Sequence, residues 1–144
     1  MKKSIVSLVI AFSLLIGCAA AATAPVFSFR LRAEIPFEFM VGKKKFPKGE
    51  YIIESVGDTG NMLLRRDKGG KAINFVTIKD KQTDKHKSKL LFRRYGDQYF
   101  LARISDGTSQ TVFKIEKSGA EKKIAKLYKD KSGKDEDEVP VSDK

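Results

Sequence analysis

Residues 27–41 read Phe27-Ser28-Phe29-Arg30-Leu31-Arg32-Ala33-Glu34-Ile35-Pro36-Phe37-Glu38-Phe39-Met40-Val41, and their alternation decides the fold. Every odd position is apolar, while the even positions are polar or charged apart from Pro36 and Met40. Successive side chains of a strand point to opposite faces, so a period of two puts one face in a core and the other in water. The run exceeds the ~3–10 residues of an ordinary strand. Pro36 has no N–H to donate to a ladder. A break is therefore expected at Pro36, where the chain bends from one sheet toward another.

Downstream, turn residues separate short apolar runs. Lys44 to Phe46 enters a Phe46-Pro47-Lys48-Gly49 turn, and Tyr51 to Val56 is closed by Gly57-Asp58-Thr59-Gly60-Asn61. Met62–Arg66 and Ala72–Ile78 read as a pair joined across Asp67-Lys68-Gly69-Gly70. Lys79 to Lys89 is lysine-rich and reads as the longest internal loop. Leu90–Tyr95 and Gln98–Ile104 flank Gly96-Asp97, a two-residue hairpin connection, and Thr111–Ile115 reads as a last strand. Ser118-Gly119-Ala120-Glu121 then has the spacing of a capping box, with the glutamate reaching back to the cap. Ala120, Ile124 and Leu127 form an apolar stripe at helical spacing. The expected fold class is all-β: a single antiparallel β-barrel or β-sandwich of about seven or eight short strands with one short C-terminal α-helix. It occupies residues 27–128, after a linker over 18–26. Residues 129–144, with Asp135-Glu136-Asp137-Glu138, read as a disordered charged tail.

Upstream of the domain, Lys2 and Lys3 precede an apolar run from Ile5 to Ile16. The run is shorter than the ~20 residues a membrane-spanning helix needs, but it suits the core of a secretory signal. It ends in Leu15-Ile16-Gly17-Cys18, which resembles the lipobox of bacterial lipoproteins. That resemblance implies removal of residues 1–17 and acylation of Cys18, with the protein held in the periplasm or on the outer membrane. Ala19, where aspartate would retain such a protein at the inner membrane, implies the outer one. A cut after Ala22, with Ala20 and Ala22 as the small residues of the site, would instead release a soluble periplasmic or secreted protein.

The chain carries 29 Lys and Arg against 18 Asp and Glu, a net charge of +11. Because the tail is acidic, the positive charge is concentrated in the body. Two clusters stand out: Lys43, Lys44, Lys45 and Lys48 on one turn, and Arg65, Arg66, Lys68 and Lys71 around another. A field of this sign attracts polyanions: anionic lipid headgroups, lipopolysaccharide or acidic glycans ahead of nucleic acid. Solvated lysines that merely keep the protein soluble are the plainer account. Catalytic chemistry has little to work with. His86 is the sole histidine and sits between lysines, and nothing in the sequence suggests an orienting carboxylate or a nucleophile for it. With one His and one Cys, a zinc site cannot be assembled, and one cysteine forms no intramolecular disulfide. Glu34 and Glu38 share a strand face but lie ~13 Å apart, too far for glycosidase geometry. Gly69-Gly70 is no phosphate loop, and the acidic tail lacks the spaced ligands of a calcium loop. The expectation is no enzyme, no cofactor and no metal. The leading function is binding or scaffolding in the cell envelope. Polyanion or nucleic-acid binding through the basic surface and carriage of a small hydrophobic ligand are the alternatives.

Ile35-Pro36-Phe37-Glu38-Phe39-Met40-Val41-Gly42, then Phe46-Pro47-Lys48-Gly49-Glu50-Tyr51, resembles the opening of a family of small exported proteins common among acidobacteria. Leu91-Phe92-Arg93-Arg94-Tyr95-Gly96-Asp97-Gln98-Tyr99-Phe100-Leu101 is similar to its second block. The likeness covers roughly residues 30 to 127, though Ala102 to Ser105 lack the tryptophan many members carry there. It implies export and a small β domain, and no activity. Tyr95 and Tyr99 are expected to pack across their hairpin as a cross-strand pair. Beside them, Arg93 and Arg94 would complete a surface if the rings stacked a ligand.

Overall fold

Pro36 divides the alternating run into strands that serve different sheets. The computed structural model describes residues 27–57, 59–81, 87–107, 111–128 and 136–140, with β1 at Phe27–Ile35 and β2 at Phe39–Val41. There follow β3 (Lys44–Phe46), β4 (Gly49–Val56), β5 (Asn61–Arg66), β6 (Ala72–Val76) and β7 (Ile78–Lys81). Next come β8 (Ser88–Tyr95), β9 (Gln98–Asp106), β10 (Thr111–Lys114), helix α1 (Gly119–Leu127) and β11 (Glu136–Pro140). One sheet has the order β1-β4-β5-β6, antiparallel throughout. The other follows β11-β8-β9-β10-β7, with β2 joined parallel to β9 and β3 paired to β2. The fold is all-β, with two sheets, one curled into a half-barrel, and a short helix. The expected export signal over 1–17, the expected linker over 18–26 with Cys18, and His86 lie outside the described residues.

The strands number more than expected, eleven among the described residues, for local reasons. The alternating run is split at Pro36. The Ala72–Ile78 run is split at Thr77, so that β6 ends one sheet and β7 ends the other. Part of the expected lysine loop belongs to β7 and β8. Within the expected disordered tail, residues 136–140 form β11, antiparallel to β8 from Glu136↔Arg93 to Pro140↔Lys89. Val139 supplies the reason, being buried, and Lys89 pairs with Glu138 at 3.2 Å.

The odd phase of the alternating run faces inward. Leu31, Ala33, Ile35, Phe39 and Val41 are buried, while Arg30, Arg32 and Glu34 are exposed. Phe39 reaches rings from both sheets: Phe46 at 5.5 Å, Tyr51 at 5.1 Å and Phe92 at 5.5 Å between centroids. Phe37, next to Pro36, is only half-buried and stacks on Tyr99 at 3.9 Å. The core continues through Ile53, Met62 and Leu64 on one side and Leu90, Leu101, Ile104 and Phe113 on the other.

Helix α1 docks differently from its apolar stripe. Ser118 caps it, its Oγ accepting from the Glu121 N–H at 3.1 Å. Leu127 is 83% exposed, and the buried residue of the helix is Glu121. Its carboxylate does not reach back to the cap; it accepts from Arg93 Nε at 2.5 Å, Arg93 Nη2 at 3.0 Å and Tyr95 Oη at 3.3 Å. Arg93 Nη2 also donates to the Ile115 carbonyl at 3.2 Å, tying the chain entering the helix to β8. Ala120 and Ile124 are half-buried, so the most deeply buried part of the contact is the charge-assisted, two-pronged Arg93–Glu121 pair.

Two sets of denaturant melts test this account. Phe39→Ala should cost about 3–5 kcal/mol, as for a buried aromatic truncation, with half-buried Phe37→Ala costing less. Glu38→Ala, on the exposed face, should stay within about 0.5 kcal/mol. Equal costs would mean that the phase of the run is wrong. For the helix, Glu121→Ala strands Arg93 and should cost about 3 kcal/mol, whereas Leu127→Ala should change stability by less than about 0.5 kcal/mol. The opposite order would restore the apolar stripe as the docking surface.

Candidate functional site

The residues of the two basic clusters have different surroundings. Tyr51 pairs with Arg66, and the Asp67 N–H donates to the Glu50 carbonyl at 3.1 Å, so the Pro47–Gly49 and Asp67–Gly70 turns share one end of the first sheet. That brings Lys48, Arg66 and Lys68 to the same end, with Lys71 just ahead of β6. Arg65 belongs to the sheet instead. With Arg30 it clamps the buried Glu54 carboxylate, Arg65 at 3.2 and 3.3 Å and Arg30 at 3.1 Å. The hydrogen bond to Glu54 raises the Arg65 pKa further. Lys45 is taken by Glu38 at 2.6 Å. Lys43 and Lys44, at the tip of the β2–β3 hairpin, line a groove with β6.

Other titratable groups with displaced pKa values serve the fold. Burial raises the Tyr51 hydroxyl, which donates to the Pro47 carbonyl at 2.5 Å; nearby Arg66 partly offsets this. On the exposed β7–β10 ladder, a hydrogen bond from Lys114, joined by one from the Lys81 N–H, lowers Asp80.

The expected pairing of Tyr95 with Tyr99 does not form. Register sets Tyr95 opposite Gln98 and Tyr99 opposite Arg94, so the two tyrosines point to opposite faces. Tyr95 turns to Phe100 at 5.8 Å and to Glu121, while Tyr99 stacks on Phe37 beneath the Arg94 guanidinium at 5.5 Å. Arg93 is occupied by Glu121. These rings and cations are packing elements.

What the geometry does assemble is a groove of about 520 Å³ between the β2–β3 tip and β6. Val41, Gly42, Lys43 and Lys44 bound one side, Ile73 to Val76 the other, and Ile78, Ile115 and Glu116 complete it. Val76 is 69% exposed and Ile78 51%. The bend between them is held by Thr77, which is buried and donates both its Oγ1–H, at 2.8 Å, and its N–H, at 2.9 Å, to the Gly60 carbonyl. Gly60 has φ +80°, and a Cβ there would lie 2.6 Å from the Thr77 carbonyl oxygen, so no larger residue fits. Thr77 thereby turns the chain from one sheet edge to the other and leaves two large apolar side chains facing outward. A second hollow of about 280 Å³, beside Tyr99 and Gln98, is spanned by the Lys45–Glu38 ion pair.

Residue-type reasoning did not single out this groove, although one signal was present. Ala72-Ile73-Asn74-Phe75-Val76 is a charge-free run in a chain that is 33% charged. Among the described residues, no group of three or more His, Cys, Asp or Glu side chains comes together to hold a metal, and no helix is long and apolar enough to cross a membrane. The chain matches no family model, no curated protein and no solved structure.

Proposed function

We propose that this chain is an exported cell-envelope protein, lipid-anchored through Cys18, that binds or scaffolds other envelope components without catalysing a reaction. The observation that carries this reading is the groove between the β2–β3 tip and β6, with its apolar floor and its lysine rim of Lys43 and Lys44. Exposed large apolar side chains beside a concave surface mark an interaction site. The resemblance of residues 35–51 and 91–101 to small exported acidobacterial-type proteins supports the same setting. Anchorage leaves the groove to meet its partner at the membrane surface. In this reading Cys18→Ser shifts the protein from the membrane fraction to the soluble fraction and leaves circular dichroism unchanged. A photo-crosslinking side chain at Val76 captures an envelope component in intact cells, while the same probe at exposed Lys123 does not. Unaltered fractionation sinks the anchor, and an absence of Val76 adducts sinks the groove.

The shared end of the first sheet favours a second reading, in which Lys48, Arg66 and Lys68 meet anionic headgroups or lipopolysaccharide. None of the three has an ion-pair partner among the described residues. Lys48→Glu combined with Lys68→Glu should then weaken binding of an unlipidated domain to anionic vesicles. The loss should shrink as salt rises, because exposed charges are screened over about 10 Å at 0.1 M. Lys45→Gln, already paired with Glu38, should have less effect. Binding that ignores salt would dismiss this surface.

A further inference from the structure

The backbone of β6 is aimed outward at alternate residues. Thr77 donates its N–H to the Gly60 carbonyl, and the same register pairs Phe75 with Met62 and Ile73 with Leu64. In an antiparallel ladder, hydrogen-bonded pairs recur every second residue. Ile73 and Phe75 therefore spend their backbone groups on β5, and Asn74 and Val76 turn theirs to the other side. No described strand pairs with β6 there.

Exposed sheet edges are usually guarded by charge, by proline or by short length, and the other edges among the described strands follow that rule, β1 with Arg30, Arg32 and Glu34. β7 carries Lys79, Asp80 and Lys81, β11 carries three acidic residues and Pro140, and β3 carries Lys44 and Lys45. β6 alone among these edges has no charge and no proline. It also borders the groove, whose far wall is the lysine-bearing tip of the β2–β3 hairpin. Lys71 precedes the strand, and among the described residues Glu116 is the only acid lining the groove. The fold already contains one acidic strand added to a basic edge: β11 pairs with β8, buries Val139 and gives Glu138 to Lys89.

Resting on the reading of the groove as a binding site, we propose that its partner is an extended peptide segment of alternating acidic and apolar residues. The segment adds to β6 as a further strand. Its backbone pairs with Asn74 and Val76, its apolar side chains enter the groove beside Phe75, and its carboxylates meet Lys43 and Lys44. Main-chain bonds provide affinity in strand addition, and alternate side chains provide specificity.

The test uses the full mature chain and a short synthetic peptide of alternating glutamate and valine, followed by fluorescence anisotropy. The peptide is expected to bind. Its lysine–valine counterpart should bind about tenfold more weakly or worse, since like charges across an interface oppose association. Methylating alternate backbone nitrogens of the glutamate peptide should abolish binding, because a strand without those donors cannot complete the ladder. Asn74→Pro should do the same from the protein side; its N–H is not used by β5, and edge positions tolerate proline. The peptide arm keeps the test decisive if that variant does not fold. Equal binding of the two charge types, or binding that survives methylation, would overturn strand addition. So would a chain that dimerises through β6 and becomes monomeric with Asn74→Pro, which would make a second copy the occupant. Crosslinking at Val76 in cells without glutamate-peptide binding would overturn this proposal and leave the groove's binding role standing.

Discussion

Phe39 is the point at which the two sheets hold each other. Its ring contacts Phe46 on β3, Tyr51 on β4 and Phe92 on β8, so strands from both sheets close on a single side chain. It can stand there only because the alternating run keeps its phase across Pro36. Were the phase to slip by one residue, Glu38 or Met40 would replace it in the core, and every inward side chain of the run would turn to water. Pro36 lets the run change sheets without losing that phase. Tyr51 adds a tether, its hydroxyl bonding to the Pro47 carbonyl, so the turn after β3 is held to the same knot.

Around this apolar centre, the buried carboxylates of Glu54 and Glu121 are met by arginine. Glu54 lies between Arg30 and Arg65, and Glu121 takes both prongs of Arg93. Uncompensated, either charge would be expensive inside the protein. Paired, they fix register between neighbouring strands and the docking of the helix. At the surface, Glu38, Asp67, Asp80 and Glu138 likewise meet a cation each. Lys43, Lys44, Lys48, Lys68 and Lys71, in the turns and at the groove, have no acidic partner among the described residues, and neither do the exposed Lys122, Lys123 and Lys126 of α1.

Much of the fold was legible in the alternation at 27–41, in Pro36 and in the glycine turns, because period and turn chemistry are local properties. The Gly96-Asp97 hairpin and the Ser118 cap were legible for the same reason. Long-range partners were not. Glu121 reads locally as a capping-box residue, and only the approach of β8 shows that Arg93 claims it. Val139 sits among acidic residues that read as a solvated tail, until the edge of β8 supplies a ladder. The groove stayed hidden because its walls, the β2–β3 tip and β6, are distant in sequence. Counting charges found its lysines but grouped Lys43 and Lys44 with Lys48 by proximity in the chain, without the β6 wall that Lys43 and Lys44 share.

The segment from Ala72 to Lys81 shows why the edge, more than the bulk charge, is the informative surface. It is nearly continuous, bent only at Thr77, and it borders both sheets. On one side of the bend it has Ala-Ile-Asn-Phe-Val, and on the other Ile-Lys-Asp-Lys. Solubility acts on both halves alike and would favour charge throughout. Edge protection would do the same, since an unguarded strand invites pairing. Only β6 departs from this pattern, although Ile78 of β7 also lines the groove, and two hydrogen bonds from Thr77 to the Gly60 carbonyl hold the end of β6. Uniform lysine content thus accounts for β7 and fails at β6. A strand without charge, pinned at Thr77 and unpaired on its outer side among the described residues, beside Lys43 and Lys44, is the arrangement on which the proposed recognition of an extended acidic segment rests.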